Sequence, residues 1–142
     1  MYLDSAILVK LIVRETDTPF FVELVDGEAD IWSSELVLTE CWSALCRLER
    51  EGRIDDHGRR QAWKRFEALM QAGGLHLQPV THVILRLANR MLAACHDAVP
   101  LRTLDAIHLA SCEFLGANPL QTTDRTMRLA ATSLGIPLGP LP

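Results

Sequence analysis

With 142 residues, 49% of them hydrophobic, the chain can fill one core but is too short for two comfortable domains, so one compact domain over 1–142 is expected. Charge interrupts the apolar runs well short of the ~18 residues that a membrane span needs, and Met1-Tyr2-Leu3-Asp4 lacks a basic leader. The expectation is a cytoplasmic protein with no membrane partner. A formal net charge of −4 argues against a general nucleic-acid coat protein.

In chain order, "MYLDS" reads as a short strand running into a helix over Ser5–Val13. A second helix follows "TDTP", where Pro19 suits a first helical position. "ADIWSS" is a second short strand. From Ser34, the spacing of Leu36, Leu38, Cys41, Leu45 and Leu48 gives a long helix to about Glu51, stopped by Gly52. Asp55 or Asp56 opens the next helix, which carries Trp63, Phe66, Leu69 and Met70 and ends at Gly73-Gly74. "LHLQPV" alternates apolar and polar residues as a strand does. Thr81 then caps a helix through Leu92, Ala93 and Cys95. Thr103 begins a helix that Gly116 ends, and "NPLQTT" is a fourth strand. Asp124 opens a last helix to about Leu134, and "IPLGPLP" supplies a short edge strand. Short apolar strands alternating with helices predict an α/β domain with a mostly parallel sheet.

Two compositional features bear on function. Seven of the 14 Lys and Arg residues fall between 47 and 65: Arg47, Arg50, Arg53, Arg59, Arg60, Lys64 and Arg65. Only four acids share that window. This surplus either faces phosphate or solvates a helical hairpin. The four cysteines, Cys41, Cys46, Cys95 and Cys112, form no C-x-x-C pair and sit in apolar patterns, as small buried hydrophobes do.

The acids are the sharper signal. In open parallel sheets ligands bind beyond the carboxyl ends of the strands. Asp4 follows "MYL" and Asp124 follows "PLQTT" at such ends, while Glu40 and Asp105 stand in apolar helices. In "LRTLDAIHLAS", Leu104, Ile107, Ala110 and Phe114 fill one side of the helix and Leu101, Leu109 and Cys112 flank Asp105 on the other. A helix apolar nearly all round is buried, and a buried carboxylate is costly unless it is paired or binds a metal.

Each acid also has a plain structural reading. Asp4 and Asp124 suit helix caps, Asp105 a helix N-terminus, and Glu40 a pair with Arg47 or another buried base. Four carboxylates within ~5 Å of one another would repel by roughly 3 kcal/mol per pair at an effective dielectric near 20. Protons or a cation must relieve that, and oxygen-only ligands favour Mg²⁺ or Mn²⁺ over zinc. His57, His76, His82, His96 and His108 form no zinc spacing. His108, one turn from Asp105, reads best as a packed, hydrogen-bonded residue.

An acidic site loaded with Mg²⁺ or Mn²⁺ suits phosphodiester hydrolysis. Ser5 and Thr122, each near an acid at a strand end, are candidates to hold metal-bound waters or the phosphate. No phosphate-binding glycine loop, dinucleotide fingerprint or serine-nucleophile elbow is present.

Four segments, "MYLDSAILVKLIVRE", "SSELVLTECWSALCRLER", "LRTLDAIHLAS" and "QTTDRTMRLAA", resemble in order and spacing the acidic motifs of PIN-domain ribonucleases. The likeness is strongest to VapC-type toxins of toxin–antitoxin pairs. "LDAIHLA" with an upstream "YLDSA" is a fairly specific combination, whereas Thr122 and Asp124 alone are a weak one. The resemblance implies a three-layer α/β/α sandwich around a parallel sheet. It implies Asp4 and Asp105 as metal ligands, Glu40 binding or positioning the second part of the site, and Asp124 completing the cluster. Ser5 and Thr122 match the small hydroxyl residues of the family.

The implied activity is endonucleolytic cleavage of RNA, leaving a 5′-phosphate and a 3′-hydroxyl, with Arg47, Arg50 and Arg53 as candidate RNA contacts. The implied partners are a small antitoxin whose tail blocks the site and a second copy of the chain, with DNA reached only through the antitoxin. One departure is Asp-Ser-Ala in the first motif, which removes a hydroxyl but no carboxylate. The alternative is a non-catalytic PIN-like module in an RNA-processing or regulatory complex, since fold alone does not fix function.

Overall fold

The computed structural model describes all residues, 1–142. Its elements run β1 (Tyr2–Leu3), α1 (Ser5–Ile12), α2 (Thr18–Val25), β2 (Trp32–Ser34), α3 (Val37–Arg50), α4 (Asp56–Gln71), β3 (His76–Gln78), α5 (His82–Cys95), α6 (Thr103–Leu115), β4 (Leu120–Gln121) and α7 (Arg125–Leu134). The four strands form a sheet in the order β3-β2-β1-β4, and every pairing is parallel. The α/β class and the parallel sheet follow the sequence reading.

Successive residues of a strand face opposite sides of a sheet, and β1 shows what that does here. Tyr2 joins a core built with Ile84, Ala88, Ala106, Leu109 and Met127 from α5, α6 and α7. Leu3 joins a second core with Ile7, Phe21, Cys41, Leu45 and Phe66 from α1 to α4. One helical layer therefore covers each face, giving the α/β/α sandwich. Both β1 residues are fully buried, so this strand is central to both cores.

Polar residues set the helix ends. The Asp4 carboxylate accepts from the Ile7 N–H at 3.0 Å and caps α1. Asp55, Thr81 and Asp124 cap α4, α5 and α7 in the same way. Gly116 ends α6 with a φ of 61°, a left-handed conformation that costs glycine least.

Three expectations need correction. The long helix starts at Val37 rather than Ser34, because Ser34 is spent in β2 and Glu35 donates its N–H to the Gln78 carbonyl. "IPLGPLP" gives only a single parallel bridge, Leu120 to Leu138. Pro137 and Pro140 lack the N–H groups a longer ladder needs. And α6 is buried through its middle, from Asp105 to Cys112, but not at its ends: Leu104 is 45% exposed and Phe114 52%.

Candidate active site

Beyond the carboxyl ends of β1 and β4 opens a cleft of about 690 Å³, and Asp4, Glu40, Asp105 and Asp124 all line it. They arrive from four separate segments. Asp4 leaves β1 as the cap of α1, Glu40 comes from the first turn of α3, Asp105 from the first turn of α6, and Asp124 caps α7 after β4. Asp4 and Asp124 each cap a helix with one oxygen and line the cleft as well.

The four are held differently. Asp4 is buried, and its second oxygen accepts from the Thr122 hydroxyl at 2.5 Å. Burial pushes its carboxyl above the ordinary range, outweighing the bonds from Thr122 and the Ile7 N–H. Thr122 in turn accepts from the Asp124 N–H at 3.0 Å, so one buried hydroxyl ties the first acid to the loop bearing the last. That corrects the expected part of Thr122: its hydroxyl is committed to Asp4 and is not open to water or phosphate in the cleft. Ser5 does line the cleft, alongside Glu40.

Glu40 does not pair with Arg47, which instead lies 4.0 Å from Glu51 one turn along α3. Its partner is His108, whose Nε2 lies 2.7 Å from Oε2 of Glu40. On the other side of the ring, Nδ1 lies 2.9 Å from the Tyr2 hydroxyl. The Glu40 carboxylate only accepts, so Nε2 carries the proton that it receives, and in the neutral ring Nδ1 is left to accept from the Tyr2 hydroxyl. Burial pushes the Glu40 carboxyl up, but His108 and the Ser5 hydroxyl more than offset this and hold it below the ordinary range. The hydrogen-bonded histidine expected from sequence is present, and the acid it orients lines the same cleft as Asp105.

Asp105 and Asp124 share a guanidinium. Arg102 donates from Nε to Oδ2 of Asp105 at 2.9 Å and from Nη2 to Oδ2 of Asp124 at 3.2 Å. With Thr122 on Asp4 and His108 on Glu40, each carboxylate thus has a donor from the chain itself. As they stand, no three Asp, Glu, His or Cys side chains are grouped tightly enough to hold an ion. The acids line one cleft without closing into a coordination shell.

The donor set still fits a hard cation. It is composed of carboxylate oxygens, and Asp4 carries a charge that its burial disfavours. The cysteines add no ligands. Cys41, Cys95 and Cys112 are buried, Cys46 is half-buried, all four are free, and burial pushes the Cys41 thiol up to about 12.

The basic window divides in two. Arg47 and Arg53 line the cleft, and Arg50 joins Arg47 in an adjoining hollow of about 440 Å³ that also reaches Ser5 and Glu40. The α4 arginines are engaged within the protein. Arg59 bonds Glu49 and Asp56 and lies over the Trp42 ring, Arg60 pairs with Asp56, and Arg65 donates to the Ile12 carbonyl.

The chain matches the PIN domain over residues 1–132. It belongs to the PIN-domain family. Within that family it is of the VapC type: it is 34% identical over 140 residues to Ribonuclease VapC46 of Mycobacterium tuberculosis (strain ATCC 25618 / H37Rv), spanning 96% of this chain and 93% of that protein. In this PIN domain, sequence reasoning missed Arg102. It stands at the cap position of α6, three residues before Asp105, where an N-cap side chain reaches the first helical turn.

Proposed function

We propose that this chain is a divalent-metal-dependent endoribonuclease, the toxin of a toxin–antitoxin pair, acting on cytoplasmic RNA. The observation that carries the reading is the convergence of Asp4, Glu40, Asp105 and Asp124, from four segments of the chain, on one cleft with Arg47 and Arg53 on its wall. Asp4 and Asp105 are the proposed principal ligands of Mg²⁺ or Mn²⁺, with Glu40 and Asp124 completing the set. When bound, such an ion supplies an acidified water and charge stabilisation for the phosphate.

The chain's own residues do the rest. Thr122 fixes Asp4 from behind, and Tyr2 and His108 orient Glu40, as outer partners commonly orient metal-binding carboxylates. Arg47, with Arg50 beside it, draws the RNA backbone toward the acids and offsets an otherwise repulsive cleft, and Arg53 adds a contact from its pair with Glu15 on the same wall. The proposed partners are a small antitoxin that covers the cleft and a second copy of the chain, with DNA reached through the antitoxin. Co-purification with any small protein encoded beside this chain and light scattering check these two.

The direct test compares the purified protein with Asp105→Asn on labelled RNA in Mn²⁺. The wild type should cut, and the variant should not, at similar melting temperature. Equal cutting by both, with contaminating nuclease excluded, overturns the catalytic reading. Binding of RNA by the wild type without cutting assigns a non-catalytic module.

A further inference from the structure

Arg102 differs from the other basic groups on the cleft. Lys10 is bound to Glu15 and Asp17, Arg53 to Glu15, and Arg47 lies toward Glu51. Arg102 alone donates to two of the four site carboxylates. It sits just before α6 on extended backbone, with φ −88° and ψ 159°, and makes no capping bond there. Its side chain is 71% exposed, whereas that of Asp105 is 12% exposed. A solvent-swept guanidinium thus holds a carboxylate that is nearly buried.

Two consequences follow from this geometry. First, a hard cation takes carboxylate oxygens directly, and Arg102 already bonds Oδ2 of both Asp105 and Asp124, two of the acids that line the cleft. Oδ1 of Asp124 is occupied by the Met127 N–H, so Oδ2 is its remaining oxygen. Arginine and a divalent ion therefore compete for the negative charge of the same two carboxylates. Second, the fork that fits a carboxylate also fits a phosphate. At an exposed side chain, exchanging one for the other costs little.

We propose that Arg102 is a latch on this site: it competes with the divalent cation for Asp105 and Asp124, and once displaced it binds a phosphate of the RNA strand in the cleft. The proposal rests on the metal-dependent ribonuclease reading above. It makes Arg102 a residue that disfavours metal entry and favours substrate binding, so that loading with metal exposes the guanidinium that receives the RNA. The apparent affinity for metal is then the intrinsic affinity reduced by the fraction of molecules whose latch is open.

The test is Arg102→Met, which keeps the length of the stem and removes the fork. Mn²⁺ binding is read by titration calorimetry, and KM for a fluorescent single-stranded RNA is read across a series of salt concentrations. If the wild-type latch is closed about nine-tenths of the time, the variant binds Mn²⁺ about tenfold more tightly. It also shows a raised KM, and its log–log salt dependence of RNA binding is shallower by about one charge.

Unchanged or weaker Mn²⁺ binding overturns the latch, and so does an unchanged KM with an unchanged salt slope. Wild-type protein that cuts RNA yet binds no Mn²⁺ overturns the metal reading and the latch with it. Wild-type Mn²⁺ binding with no effect of Arg102→Met overturns the latch alone.

Discussion

The two ends of the cleft carry charge in opposite ways. At one end Lys10 bonds Glu15 at 2.8 Å and Asp17 at 3.0 Å, and Arg53 bonds Glu15 at 2.8 Å. Two cations meet two anions, and the group is satisfied by itself. At the other end four carboxylates face one guanidinium, one imidazole and a threonine hydroxyl. The first arrangement is structural: it fastens the α1–α2 turn to the loop after α3. The second leaves a surplus of negative charge that a protein maintains at a cost to stability and for a purpose.

The largest expected effect breaks the unbalanced end. Asp4→Asn keeps the α1 cap, because asparagine caps nearly as well as aspartate, but removes a charge that burial disfavours. RNA cutting should fall on the order of 10²–10³-fold, while the melting temperature holds or rises. A fall in melting temperature with cutting retained would place Asp4 on the structural side of the comparison.

Next is the support behind the acids. His108→Phe fills the buried space but removes the donor to Glu40. Cutting should drop about 10- to 100-fold, the usual effect of losing an outer partner. If His108→Phe and Glu40→Gln are made together, the double variant should be little worse than Glu40→Gln alone. Additive losses would show that His108 acts by some other route.

The balanced end should respond in stability and not in chemistry. Lys10, ahead of Arg53, outweighs burial and holds the Glu15 carboxyl below the ordinary carboxylate range. A lowered folded pKa contributes stability that is present above the unfolded value of about 4.3 and is lost as pH falls through the folded value. Glu15→Gln should therefore cost about 1 kcal/mol at neutral pH, and the difference should vanish in acid. Urea melts at several pH values check this, and RNA cutting should persist.

The smallest effect separates the arginines. Arg47 lines both hollows and Arg50 only the side one. Arg47→Ala should raise KM by about threefold, and Arg50→Ala by less. Equal effects would mean that the strand crosses both hollows alike.

Much of the fold was legible because its signals are local. Asp4, Asp55, Thr81 and Asp124 sit where helices begin, and Gly116 and Gly135 where they end. The alternation of Tyr2 and Leu3 between two cores follows from strand geometry alone. The four acids were legible as candidates by their odd surroundings, in apolar helices or just past strands. Their partners were not. Tyr2 meets His108 across 106 positions and Thr122 meets Asp4 across 118, distances in sequence that no local pattern encodes. The division of the basic window was equally hidden, since only tertiary packing sends Arg59 over Trp42 and leaves Arg47 on the cleft. The exposed Leu104 and Phe114 show the limit of a helical wheel, which records which face is apolar but not how far along the axis a neighbour covers it.

If the unbalanced end of the cleft works through a divalent cation, removing that cation should silence it. This is tested most directly by stripping the protein with a chelator, dialysing the chelator away and titrating Mn²⁺ while following cleavage of a labelled RNA. Stripped protein should not cut, cutting should return in a saturable way with Mn²⁺, and Asp105→Asn should stay silent throughout. Cutting that persists undiminished in the stripped protein would contradict a role for the cation.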